Sequence, residues 1–119
     1  MKATRRYAIW LSSALILIAV SASLLPVQFK VMLYLKGALH PWLHILLFGC
    51  LAGMSEWIPR RVSTKITFLF FLTAFGVGSE LIESLEFHVA VACVDIWTDI
   101  VGILVGVSTA LTIRSVRTA

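Results

Sequence analysis

Charged residues interrupt this chain at wide intervals, and the sequence between them is apolar. Two uncharged stretches, Tyr7 to Phe29 and Gly37 to Ser55, are long; two more, Ile66 to Ser79 and Ile100 to Ile113, are shorter. A helix needs about 20 apolar residues to cross the ~30 Å hydrocarbon layer of a membrane, and its backbone polar groups must be satisfied within the segment. The first stretch exceeds that length, with its helix ending near Leu25 because Pro26 cannot continue it. The second is just long enough. The two shorter stretches reach only about 21 Å each at 1.5 Å per residue. To span, the third helix must run past Glu80 and Glu83, and the fourth must begin near Asp95. The pattern therefore predicts an all-α polytopic membrane protein with four transmembrane helices, near 7–25, 39–57, 66–85 and 95–113, in a single domain. It also puts carboxylates inside the spans.

Composition supports the same class. Of 119 residues, 60% are hydrophobic and 13% charged, with a mean hydropathy of +0.98. A soluble domain of this size exposes too much of its surface to tolerate such a balance. A disordered chain, a disulfide scaffold and a nucleic-acid-binding module are excluded on the same ground, although the net charge is +4. The basic residues instead report orientation. Lys2, Arg5 and Arg6 precede the first helix, Arg60, Arg61 and Lys65 join the second and third, and Arg114 and Arg117 follow the fourth. Four crossings place all eight on one side, with only Lys30 and Lys36 opposite, so both termini are expected in the cytoplasm. Small residues at Ser21, Ala22 and Ser23 resemble the end of a cleavable signal peptide. Apolar sequence continues through Leu24 and Leu25, however, and the reading adopted is a retained helix. Cys50 and Cys93 fall at different depths, which argues against a disulfide.

Depth then sorts the polar residues. Glu80, Glu83, Glu86, Asp95 and Asp99, five of the six acids, collect at the outer ends of the third and fourth helices, and His40, His44 and His88 lie on the same side. Positive charge there is nearly absent. Residues three or four apart share a helix face, which pairs Glu80 with Glu83, Asp95 with Asp99 and His40 with His44. An ionised carboxylate in a span costs roughly 2.5–3.5 kcal/mol on insertion scales and normally faces the bundle interior, where it marks function. The candidate pocket comprises His44, Glu80, Glu83, Asp95 and Asp99. Three of them have a plainer explanation: Glu83 near the headgroups, Asp95 as a helix N-cap, His44 as a hydrogen-bonded packing residue; Glu80 and Asp99 lie deepest, and for them function outweighs it. Glu86 and His88 read as solvated loop residues. Gly49 with Gly53, and Gly102 with Gly106, have the small-xxx-small spacing that lets helices approach closely. Trp10, Trp42, Trp57 and Trp97 mostly fall near span ends, as interface anchors do.

Three segments resemble the VanZ-like family of small bacterial membrane proteins. His44-Ile45-Leu46-Leu47-Phe48-Gly49 is similar to the family's His-Phe segment on helix two. Ser79-Glu80-Leu81-Ile82-Glu83 resembles its Asp-Glu-x-x-Gln, and Asp95 through Asp99 and Gly102 to Gly106 resembles its Asp-x-x-x-(Asn or Asp)-x-x-Gly-x-x-x-Gly. The likeness covers His40 to Gly106 in the family's order. Ser79 and Glu83 depart from the family's acid and glutamine, and no arginine stands between Leu85 and Val94, where His88 is the nearest substitute. The resemblance implies a bacterial plasma-membrane protein of the cell envelope; the founding member is associated with resistance to the glycopeptide teicoplanin. No settled molecular activity comes with it.

Three functional readings follow, in this order. The first is an accessory protein whose outward acidic and histidine pocket binds a polar envelope ligand: a lipid headgroup, a cell-wall or polysaccharide precursor, or a glycopeptide. The second is an enzyme acting on a lipid-linked glycan, with a divalent cation as candidate cofactor, magnesium, calcium or manganese by the oxygen-rich residue types. The third is a proton-coupled transporter using Glu80 or Asp99 as relay. Membrane lipid and a second copy of the chain are the other expected partners; nucleic acid is not.

Overall fold

The computed structural model describes residues 2–33, 37–57 and 61–119. Lys36 and Arg60, counted above among the orienting charges, lie outside them. The described residues form five helices: α1 (Lys2–Ser23), α2 (Val27–Met32), α3 (His40–Met54), α4 (Val62–Phe87) and α5 (Cys93–Thr118). As the proline demands, α1 stops before Pro26, which caps the start of α2. α4 runs through Glu80 and Glu83, and α5 starts before Asp95. Both shorter stretches are thus extended into their flanking polar sequence.

Three helices, α1, α4 and α5, are long and apolar enough to cross a membrane. The expected fourth, over 39–57, is only the 15 residues of α3, about 22 Å at 1.5 Å per residue. Its start is fixed by Pro41 in the first turn. Its end tightens into bonds to the third residue back, Ser55 N–H to Ala52 O at 3.0 Å and Trp57 N–H to Met54 O at 2.9 Å, a narrower winding that rarely extends far.

The bundle is 49 Å long and about half as wide. α3 is its centre, and its largest interface is with α5. Four pairings run down that interface: His40 with Asp95, His44 with Asp99, Gly49 with Gly102, and Gly53 with Gly106. Residue numbers rise together on both helices, so α3 and α5 are parallel and α4 returns between them. The glycines carry the close approach. A Cβ on Gly102 would lie 2.7 Å from Ile45 O, and one on Gly106 would run into the Gly49 carbonyl. Phe48, Leu51, Ala52, Leu72 and Ile103 form the small core below.

Outside the core the surface is apolar: Trp10 is 75% and Phe70 74% exposed. Most hydroxyls on the described helices bond within their own turn, as with Ser21 Oγ to Leu17 O at 2.8 Å and Thr112 Oγ1 to Ser108 O at 2.8 Å, while Ser12 Oγ reaches Met54 Sδ across the bundle at 2.9 Å. That is the arrangement an apolar solvent requires.

At the end away from the histidines, Glu56 accepts hydrogen bonds from Lys65 Nζ at 2.7 Å and Arg114 Nη1 at 2.9 Å, tying α4 and α5 to the turn after α3. Burial pushes the Glu56 carboxyl up, but the hydrogen bonds and charges of Lys65 and Arg114 outweigh it and hold the group below its ordinary range. A depressed value means a stabilising contribution that is complete above the ordinary glutamate pKa and lost as pH falls through the folded-state value. Glu56→Gln is expected to cost about 1–2 kcal/mol at neutral pH and to flatten the acid limb of a stability-versus-pH series in detergent. A variant whose acid limb matches wild type would show that the clamp carries no linkage.

Candidate functional site

α3 and α5 begin at the same end of the bundle, and α4 finishes there. Two turns of α3 carry His40 and His44; two turns of α5 carry Asp95 and Asp99. Because the helices are parallel and in register, the residues meet as two rungs. His40 Nε2 lies 3.0 Å from Asp95 Oδ2, and one turn deeper His44 Nδ1 lies 2.5 Å from Asp99 Oδ1. The two rings meet edge to face at 4.6 Å, and His44 stacks on Phe48 at 6.4 Å. The first turn of α5 is a favourable place for Asp95, since the helix N-terminus is the positive end of its dipole. It is not the N-cap, which is Ala92 and makes no side-chain capping bond.

Asp99 is 2% exposed, and its Oδ2 has no hydrogen-bond partner among the described residues. Gly76 of α4 makes room for that oxygen: a Cβ there would sit 2.6 Å from it. Neither the orphan oxygen nor the role of Gly76 is visible in the spacing of the sequence. An aspartate behind an imidazole fixes ring orientation and tautomer. With Asp99 accepting at Nδ1, neutral His44 keeps its lone pair on Nε2; with Asp95 at Nε2, neutral His40 keeps its lone pair on Nδ1.

A groove of about 360 Å³ opens between α1, α3 and α4. Its polar lining is Lys30, His40, His44, Ser79, Glu80 and Glu83, and its walls are apolar, among them Leu15, Leu47 and Phe75. All five candidate residues thus gather at one end, but not in one role. Glu80, His44 and Glu83 face the groove, whereas Asp95 and Asp99 stand behind the histidines. Glu80 is buried within electrostatic reach of Asp95, Glu83, His44 and Asp99.

Lys30, one of the two lysines expected on this side, is paired with an acid of the candidate pocket. Its Nζ lies 2.7 Å from Glu83 Oε1 and 5.0 Å from the centre of the Phe87 ring, and the residue is 3% exposed. Carboxylates near the negative end of α4 need a cation, and α2 delivers it. Lys30, rather than His88, occupies that role: His88 is an exposed left-handed cap of α4 with φ 52°. In the sequence Lys30 stands with Lys36 on the side expected to hold five acids, and nothing in the spacing pairs it with Glu83.

Among the described residues, His40, His44 and Asp95 each offer a donor atom within 4.8 Å of the others. Two imidazoles and one carboxylate suit zinc or another transition metal better than magnesium or calcium, which alters the oxygen-rich expectation. Cys50 and Cys93 are free. No protein-family model matches the chain, and no curated protein or solved structure matches it either.

Proposed function

We propose that this is a bacterial cell-envelope protein of the VanZ-like type, in the plasma membrane, that binds a polar envelope ligand in the groove at its histidine-bearing end. In this reading the chain crosses four times, with both termini cytoplasmic and the groove facing outward. The parallel course of α3 and α5 fits that topology, because helices two and four of such a chain run the same way. The resemblance rests on the same residues, His44, Glu80, Asp95 and Asp99, that converge at this end. One observation carries the proposal: aspartate-oriented histidines and a buried glutamate line a groove whose other walls are apolar. Structural need alone does not call for two oriented imidazoles and a desolvated carboxylate beside a groove. Carboxylates and imidazole lone pairs favour a ligand with hydroxyl or amine groups.

The test is thermal unfolding of the detergent-purified chain with phosphatidylethanolamine, a lipid-linked sugar precursor and teicoplanin in turn. At about 100 times its Kd a true ligand stabilises by roughly 2.7 kcal/mol. The expected result is stabilisation of wild type by at least one of them and a much smaller response in Glu80→Gln. If every compound shifts wild type and Glu80→Gln alike, the groove is not the site.

A second reading, a metal-assisted enzyme on a lipid-linked glycan, is favoured by the His40, His44 and Asp95 donor set. A metal there would leave one coordination position for a water or a substrate oxygen.

A further inference from the structure

We propose that the opposite, basic end of the bundle carries a binding site for the phosphate of an anionic phospholipid headgroup. A cleft of about 1070 Å³ lies there, just above the usual 300–1,000 Å³ range of ligand pockets. Lys2, Arg5, Arg6, Lys65, Arg114 and Arg117 line it, six of the chain's ten basic residues, against the single carboxylate of Glu56.

Orientation by positive charge requires these residues to be on one side of a membrane; it does not require them to face one concavity. Lys2, Arg5, Arg6 and Ile9 recur at the three- and four-residue spacing of one face of α1, and Arg114 and Arg117 share a face of α5. Glu56 is consumed within the wall. Its Oε2 takes hydrogen bonds from both Lys65 and Arg114 and so holds two cations in place, and the lining side chains keep an excess of positive charge. A concave wall with a net charge of one sign focuses its field on the space it encloses. A doubly acceptor-rich phosphate is the group arginine forks fit best.

The rest of the lining selects the source of that phosphate. Ile9, Trp57 and Ile113 give the cleft apolar surface beside the cations. A free phosphate gains nothing from it, whereas the glycerol and upper acyl chain of a phospholipid do. Tryptophan at headgroup depth and basic pockets between helices are both features of lipid recognition.

The experiment uses the full chain in nanodiscs of equimolar phosphatidylglycerol and phosphatidylcholine, with retained lipid read by native mass spectrometry after detergent extraction. Wild type is expected to retain phosphatidylglycerol preferentially, and R6Q/R117Q to lose roughly tenfold of that preference. R61Q removes an exposed cation that does not line the cleft and is expected to keep it. Raising salt over wild type tests the same electrostatics without altering a residue, and the preference should decline. Equal retention of both lipids by wild type overturns the proposal. So does an equal loss in R61Q, which would reduce the effect to a diffuse field. Thermal stabilisation by inorganic pyrophosphate that depends on Arg6 and Arg117, with no lipid preference, would assign the cleft to a soluble phosphate and overturn the lipid source.

Discussion

Gly106→Ala is expected to destabilise the bundle by about 2–3 kcal/mol, the upper part of the roughly 1–3 kcal/mol typical of forcing extra volume into a packed interface, and this despite the up to ~1 kcal/mol that alanine normally gains over glycine inside a helix. The added methyl would run into the carbonyl and Cα of Gly49, and those atoms are backbone, so no side chain can rotate out of its way. α3 and α5 would have to separate or slide. Gly53, on the facing helix of the same pairing, is the internal control: a Cβ there meets Gly106 O at 3.5 Å, an ordinary contact. Gly78, where no atom of the described residues lies within 4 Å of a Cβ, is a second. Unfolding in detergent should therefore find Gly53→Ala and Gly78→Ala close to wild type or slightly more stable, and Gly106→Ala far below both. The loss should extend to ligand response, because the two histidine–aspartate rungs lie on the interface the methyl pries open. Equal stability for Gly106→Ala and Gly53→Ala would mean that the helices do not meet in this register.

That interface also shows what a single sequence makes legible. Helix positions follow from the distance between charges and from Pro26, and the extension of α4 and α5 into polar sequence follows from the length of a span. The paired glycines, and the gathering of histidines and acids at one end, are readable from spacing alone. What spacing does not convey is which helices are parallel neighbours. Without it, Asp95 and Asp99 read as members of a pocket, whereas packing puts them behind His40 and His44. The partner of Glu83 was hidden for a different reason. Lys30 lies on α2, six residues with no apolar period long enough to announce a helix, and only the folded chain carries it to the end of α4. α3 is shorter than the expected span over 39–57 chiefly because backbone winding at Ser55–Trp57, which hydropathy does not register, ends it early. Gly76 could not be singled out, since its purpose is to leave room for one oxygen of another helix.

The His44–Asp99 rung separates structure from function most sharply. Among the described residues His44 is the hydrogen-bonding partner of the Asp99 carboxylate, and His44→Leu removes it while the other oxygen already has none among them. Breaking one side of a buried pair in this way costs about 3–5 kcal/mol. Asp99→Leu, close to the carboxylate in shape, instead leaves an imidazole that can stay neutral and lies partly open to the groove; the expected cost is nearer 1–3 kcal/mol. The double variant places apolar side chains on both sides and should recover most of the loss, since well-packed apolar replacements of buried pairs are often neutral or stabilising. A double-mutant cycle on unfolding free energies should thus give a coupling well above the ~0.5 kcal/mol expected of independent sites. Additive single effects would show that the two side chains do not act as a pair. The recovered double variant then carries the functional argument. It keeps Gly49, Gly102 and Gly106 packed as in wild type but presents no oriented imidazole at the deeper rung. If it folds and still responds to the ligands of the wild type, the rung is a packing device and recognition belongs to Glu80 and the Lys30–Glu83 pair. If it folds and no longer responds, the buried aspartate is maintained against its desolvation cost because the histidine it orients meets the ligand.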